Sequence, residues 1–179
     1  MVTPITHNEH VLGNPTIGVG FNLAGAAGAD LIEEMGLNYG AVRNGSVILT
    51  DAQIDHLLDQ TVSVAVSAAR ALVPSFDSIP EAQQVVLVDL AFNMGKTGLS
   101  KFVNMLHACK TQNWKLAASS LQLSAWFRQV GPKVYQRGGA DVAALAGSLD
   151  PTKMLGRDTS HATALVPATS SNQQEVECG

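Results

Sequence analysis

The chain of 179 residues is short of charge, of cysteine and of long apolar runs, and each shortage removes a class of protein. Charged residues make up only 15% of it, against the usual quarter, which predicts a quiet surface over one extended apolar interior. Eleven Lys and Arg stand against 15 Asp and Glu, and the resulting charge of −4 supplies no basic stripe for nucleic acid. The two cysteines, Cys109 in an apolar helical pattern and Cys178 in a polar stretch, read as free thiols rather than a disulfide framework. No run approaches the ~20 apolar residues of a membrane span. Met1 to His10 lacks the charged start and apolar centre of a signal peptide, so the chain reads as soluble and unaddressed. Several chemical signatures are missing as well. There is no G-x-S-x-G nucleophile elbow, and Gly18-x-Gly20 lacks the third glycine and the Lys-Ser/Thr of a phosphate loop. His7, Glu9 and His10 are metal-ligand types, but no HExxH or second ligand pair accompanies them. They read as part of a solvated arm, and neither a metal nor a cofactor is expected.

What is present suffices for one domain, since 46% of the residues are hydrophobic. Residues 1–9 are polar, contain Pro4 and show no helical period, so they form an irregular arm. Gly13 and Pro15 supply turn chemistry. Thr16, Ile17, Val19 and Phe21 then alternate with Gly18 and Gly20, a strand whose glycines let another backbone or a ligand come close. Ala29 to Met35 reads as a short helix stopped by Gly36, and Asn38 to Ser46 as loop. Thr50-Asp-Ala-Gln53 is a capping box opening a long amphipathic helix that Pro74 ends. Ser78-Ile-Pro-Glu81 looks like a second box. The run Val85 to Phe92 behind it is apolar on nearly every face, which predicts a helix buried by others, stopped around Gly95 and Gly98, with Asp89 as its one charge in need of a partner. Leu99 to Cys109, Trp114 to Leu121 and Ala125 to Gln129 read as further helices. Val134 to Leu145 reads as a last one, weakened by Gly138 and Gly139. Residues 148–179 turn to Ser, Thr, Pro, Asn and Gln without period, a disordered polar tail. No internal repeat is visible.

Gly13-Asn-Pro-Thr-Ile-Gly-Val-Gly-Phe-Asn-Leu23 resembles the β-hairpin segment of the phage-type lysozymes, glycoside hydrolase family 24, in which an Asp lies six residues before a Thr in a D-x-x-G-x-P-T-x-G-x-G pattern. Leu90-Ala-Phe-Asn-Met-Gly-Lys-Thr-Gly-Leu99, Phe102, Trp114 and Trp126-Phe-Arg-Gln-Val-Gly131 follow in that family's order and near its spacing. The resemblance covers residues 10–147. It implies a mainly α (α+β) fold of two lobes, a small β-hairpin lobe and a helical bundle, joined by the helix that starts at Thr50. Counted back from Thr16 without gaps, the family's Asp falls on His10 and its catalytic Glu on Met1.

The activity implied is that of a muramidase, hydrolysing the β-1,4 bond between N-acetylmuramic acid and N-acetylglucosamine in peptidoglycan, with antibacterial or lytic effect. A lysozyme-like peptidoglycan-binding module that has lost turnover is the alternative. An intracellular helical interaction protein is a third reading, under which the hairpin motif is coincidence. Inverting hydrolysis needs an acid for the leaving oxygen and a base about 6.5–9.5 Å away with a water between. Thr16 matches the water-positioning Thr. His10, at the Asp position, has an imidazole able to accept a proton from water but no negative charge to offer the transition state. Glu9 is the nearest carboxylate. Asn22, Phe92, Asn93 and Met105 match groove positions that contact sugar or peptide, with core packing the competing role for Phe92. Trp114 and Trp126 resemble structural tryptophans, and Lys133 falls where the family often has an Arg that pairs with the catalytic Glu. The implied partner is the glycan strand, bound by a monomer secreted or released to the bacterial wall. The resemblance also places a first helix, ending in the catalytic Glu, ahead of Met1. Its loss is expected to leave apolar surface uncovered on the larger lobe and the chain marginally stable and feebly lytic.

Overall fold

A computed structural model describes residues 15–25, 27–133 and 136–148. Two strands and eight α-helices are found there: β1 (Thr16–Ile17), β2 (Phe21–Asn22), α1 (Gly28–Glu34), α2 (Tyr39–Arg43), α3 (Asp51–Leu72), α4 (Glu81–Leu99), α5 (Val103–Lys110), α6 (Trp114–Gln122), α7 (Ala125–Val130) and α8 (Arg137–Leu145). The expected mainly helical fold with one small hairpin is what forms.

The single strand read from alternation is in fact a hairpin. Thr16 pairs with Asn22 and Ile17 with Phe21, antiparallel. Gly18 (φ +58°) and Gly20 (φ +78°) reverse the chain between them in the left-handed region that side chains disfavour. Phe21 turns into a small core with Leu23, Ile32, Val42, Leu49 and Leu57, while Thr16 and Asn22 face outward. Strand alternation thus sorts apolar from polar side chains.

α3 begins where the sequence says it should. Thr50 Oγ1 accepts from the Gln53 N–H at 3.3 Å and Gln53 Oε1 from the Thr50 N–H at 2.9 Å, a complete capping box. Leu57 of this helix belongs to the small core, whereas Ala65, Ala68 and Ala69 pack into a second, larger one. The interior is therefore two cores bridged by α3, not the one extended body expected from composition. Three alanines on one face let α4 approach α3 closely. Leu87 and Leu90 of α4 are fully buried there, each worth roughly 1.5–3 kcal/mol, and Leu99, Met105, Leu121 and Leu145 close around them.

Three local readings need correction. Asn38 to Ser46 is not all loop: Asn38 Oδ1 caps α2 by accepting from the Ala41 N–H at 2.8 Å, and the helix is only five residues long, too short for periodicity to register. No capping box forms at Ser78, because Pro80 takes the cap position of α4. α4 does break at Gly95 (φ +68°), where the sequence reading placed its stop, and the stretch to Leu99 is a separate turn. α5 starts at Val103, after a turn through Phe102, rather than at Leu99.

The irregular arm 1–9 lies outside the described residues, as does the polar tail beyond Ser148. No helix among the described residues is long and apolar enough to cross a membrane. Cys109 is buried as a free thiol whose pKa burial pushes up to about 12, an inert packing group; Cys178 falls outside.

Candidate active site

The hairpin turn comes against the larger lobe at Gly20, where a Cβ would sit 3.7 Å from Phe92 Cε1. Gly20 thereby brings the turn against the end of the buried helix. Gly18 sits equally close to α3, where a Cβ would meet Ile54 Cγ2 at 3.1 Å. The turn between the strands is thus wedged between α3 and α4, and its glycines serve close approach as well as positive φ.

Of the expected site residues, Thr16 and Asn22 are cross-strand partners on the hairpin's exposed face. Asn22 Oδ1 accepts from the Ala24 N–H at 2.9 Å, which fixes the amide. Phe92 is half-buried between the hairpin turn and the larger core. Asn93, next to it, is exposed, and its Oδ1 accepts from Trp126 Nε1 at 2.8 Å. Since the amide oxygen is occupied by the indole, the Asn93 Nδ2 protons are the ones left to donate outward. Met105 is 1% exposed inside the larger core and presents nothing to a groove. Glu9 and His10 lie outside the described residues.

Trp126 was legible only as a structural tryptophan. Its indole is 7% exposed and well packed, yet its one polar atom holds a surface amide in a single orientation. Trp126→Phe should lower stability by ~0.5–1.5 kcal/mol, the net worth of one hydrogen bond, and free the Asn93 amide to rotate. Thermal denaturation checks the first effect. The second is checked by the Asn93 side-chain NMR resonances, which should broaden or shift.

Beside Phe92 runs a groove of about 410 Å³ between α3, α4 and α8, lined by Val62, Val85, Val88, Phe92, Glu81, Gln84, Asp89 and Arg137. Asp89, the charge in need of a partner, finds Arg137 Nη2 at 2.8 Å from its Oδ1. A residue that sequence reading missed lies next to it. Asp141, one helical turn after Arg137, is 9% exposed. Burial first, then the charge of Asp89 and a hydrogen bond to it, raise its pKa from 3.8 to about 8, while Arg137 pulls the other way. Asp89 Oδ2 and Asp141 Oδ2 are both buried and, taken as carboxylates, both lack a partner among the described residues. A proton held by Asp141 supplies the hydrogen bond that joins it to Asp89. The signal in the sequence was a lone acid in the small-residue run Gly138-Gly-Ala-Asp-Val142, which periodicity alone does not single out.

Among the described residues no group of three or more His, Cys, Asp or Glu gathers as a metal site. A family model described as phage lysozyme matches residues 4–139.

Proposed function

Since that match spans most of its length, the chain belongs to the phage lysozyme family, whose members are glycoside hydrolases acting on peptidoglycan, and from this we propose that it cleaves the β-1,4 bond between N-acetylmuramic acid and N-acetylglucosamine at the hairpin–α4 junction. The observation that carries the proposal is the meeting of the two lobes there: exposed Thr16 and Asn22 on the hairpin, with Phe92 and the indole-anchored Asn93 at the end of α4. An apolar ring edge beside fixed amide donors suits a sugar, which offers C–H faces and hydroxyl rims.

In this reading Thr16 Oγ1 holds a water against the anomeric carbon. As the glycosidic bond breaks, the leaving oxygen takes a proton from the acid. The water adds to the anomeric carbon and gives a proton to the base. His10 and Glu9 are the groups in the chain near enough in sequence to serve as base and acid. The neutral imidazole serves as base but brings no negative charge to an oxocarbenium-like transition state, so turnover is slow. Thr16→Val should reduce the release of reducing ends by ~10²-fold through loss of water positioning. Because Thr16 is exposed, its melting temperature should stay within about 2 °C. An unchanged rate would remove Thr16 from the chemistry.

His10 at the Asp position and Met1 at the Glu position favour a second reading, a module that keeps the groove and binds glycan without turnover. Incubation with purified peptidoglycan separates the two. New reducing ends support the hydrolase, and protein retained on the sacculus without them supports the module.

A further inference from the structure

Nine asparagines occur in the chain, and two of them stand two residues before a hydroxyl side chain, Asn14 before Thr16 and Asn44 before Ser46. An N-linked oligosaccharide requires that spacing with a middle residue other than proline, so Pro15 rules out Asn14 and leaves Asn44-Gly45-Ser46. The triplet follows the end of α2 on the small lobe, and all three residues are exposed. Asn44 Oδ1 accepts from the Ser46 N–H at 3.0 Å and from Ser46 Oγ at 2.6 Å. We propose that Asn44 is the acceptor of an N-linked glycan, attached through its side-chain nitrogen and recognised together with the Ser46 hydroxyl.

The two hydrogen bonds decide which atom is available. Both end on the amide oxygen, so Asn44 Nδ2 is left without a partner among the described residues. They also lie within three residues, an Asx turn that needs nothing from the rest of the fold and so presents amide and hydroxyl as one unit before the lobe has folded. Once it has folded, Val42 before the triplet and Leu49 after it enter the small core while the triplet stays outside, so a bulky group there displaces no packing. Ile48, 61% exposed, offers the C–H face of the first sugar an apolar neighbour. The transfer balances with an oligosaccharide carried on a polyprenyl pyrophosphate. Nδ2 bonds to the anomeric carbon of the first sugar, and the bond from that carbon to the pyrophosphate oxygen breaks. The lipid pyrophosphate leaves with the electron pair, and one Nδ2 proton passes to a base of the transferase. The competing fate of an Asn-Gly pair is a succinimide, closed by attack of the glycine nitrogen on the amide carbon with loss of ammonia. Here the Gly45 N–H donates to the Val42 carbonyl at 3.2 Å, which holds that nitrogen in the turn at the helix end. The donor resides at a membrane, which a chain acting on a wall outside its own cell has to cross. In that respect alone the acceptor role rests on the proposed function; it draws on no residue of the hairpin–α4 junction and needs no turnover.

Expression of the full chain in a eukaryotic host cell, behind a cleavable secretory leader, tests it. The leader supplies the route past the transferase, so the result does not depend on whether the chain turns over peptidoglycan. The protein should run as a larger species that peptide N-glycosidase returns to the mass of the bare chain, whether it is collected from the medium or from inside the cell. Release in heavy-oxygen water should leave the oxygen label at Asn44 and none at Asn14. Asn44→Gln and Ser46→Ala should each lose the larger species, with circular dichroism confirming that both variants fold. Ser46→Thr should keep it, since a threonine hydroxyl on a stiff χ1 makes the same turn. A parent chain without the larger species overturns the proposal. So does a larger species that survives Asn44→Gln or Ser46→Ala, or one that Ser46→Thr abolishes, or a label found at Asn14. Conversion of Asn44 to an acid before the glycosidase is added, with no larger species, would show succinimide chemistry there and overturns it too.

Discussion

Gly139→Ala should lower the melting temperature by roughly 6–12 °C, the shift expected for a loss of about 3 kcal/mol in a domain of this size. Gly139 lies in the first turn of α8 and is buried. A Cβ there would overlap the backbone carbonyl of Lys133 and stand 2.6 Å from the Pro132 oxygen. Both obstacles are main chain, so neither can swing aside as a side-chain tip would. The close approach is built in from the other side as well: the Gly139 N–H donates to the Gly131 carbonyl at 3.1 Å, which ties α8 to the end of α7. Relief requires moving α8, whose Leu145 is fully buried and whose last carbonyls, on Ala144 and Leu145, accept from Gln83 Nε2 at 3.2 and 3.3 Å. Gly36→Asn is the control. Gly36, unlike the helical Gly139, has positive φ (+74°), but a Cβ there meets nothing within 4 Å, and Asn tolerates the left-handed region, so a change under ~1 kcal/mol is expected. A loss at Gly139 no larger than at Gly36 would show that close approach to the Lys133 and Pro132 main chain does not set the cost.

Gly138 and Gly139 also mark where the sequence stops being readable. On propensity they weaken a helix, which is correct, but the same two residues are what lets that helix start against α7 and the turn at Lys133. Propensity is local, and the reason for the glycines is a neighbour far along the surface of the fold. The same contrast holds elsewhere. α3 was legible because its cap is a short-range pattern, two hydrogen bonds within four residues, followed by many turns of periodic burial. α4 was legible as buried because an apolar run has no face left for water, and Asp89 stood out in it as a charge that burial would not tolerate alone. Its partners were not legible, for Arg137 and Asp141 come from α8, with Arg137 48 residues further on. At the site, the hairpin motif and the Phe92-Asn93 pair were each visible as sequence. What the sequence did not contain was the anchoring of Asn93 by Trp126, which joins residues 33 apart in the chain, or the burial of Met105, whose pattern suits groove and core alike.

Asp141→Asn should raise stability at pH 8–9 and flatten its dependence on pH between about 4 and 8. In the folded protein the Asp141 carboxyl titrates at about 8, above its ordinary 3.8, so across that interval the folded state holds a proton that the unfolded chain has released. Stability therefore falls as pH rises through the interval. It is full below the unfolded value and lowest once the folded group has also ionised, with a slope approaching ~1.4 kcal/mol per pH unit. Ionisation brings a second negative charge beside Asp89 in a buried setting, where Arg137, already paired to Asp89 at 2.8 Å, balances only one. It also removes the proton through which Asp141 bonds to Asp89, leaving buried carboxylate oxygens on both without a donor. An asparagine amide supplies a donor to Asp89 at every pH and carries no charge to repel it. Near pH 4 the variant should match the parent, since there the parent is already protonated. At pH 8–9 it should exceed the parent by several kcal/mol at most, read as a higher urea midpoint at constant m-value. Asp141→Leu separates repulsion from bonding: it removes the charge but leaves Asp89 Oδ2 without a donor, so it should flatten the profile while losing stability at every pH. Parallel profiles for parent and Asp141→Asn would show that the carboxyl pair does not share a proton, and that α4 and α8 are held together at this point by Arg137 and Asp89 alone.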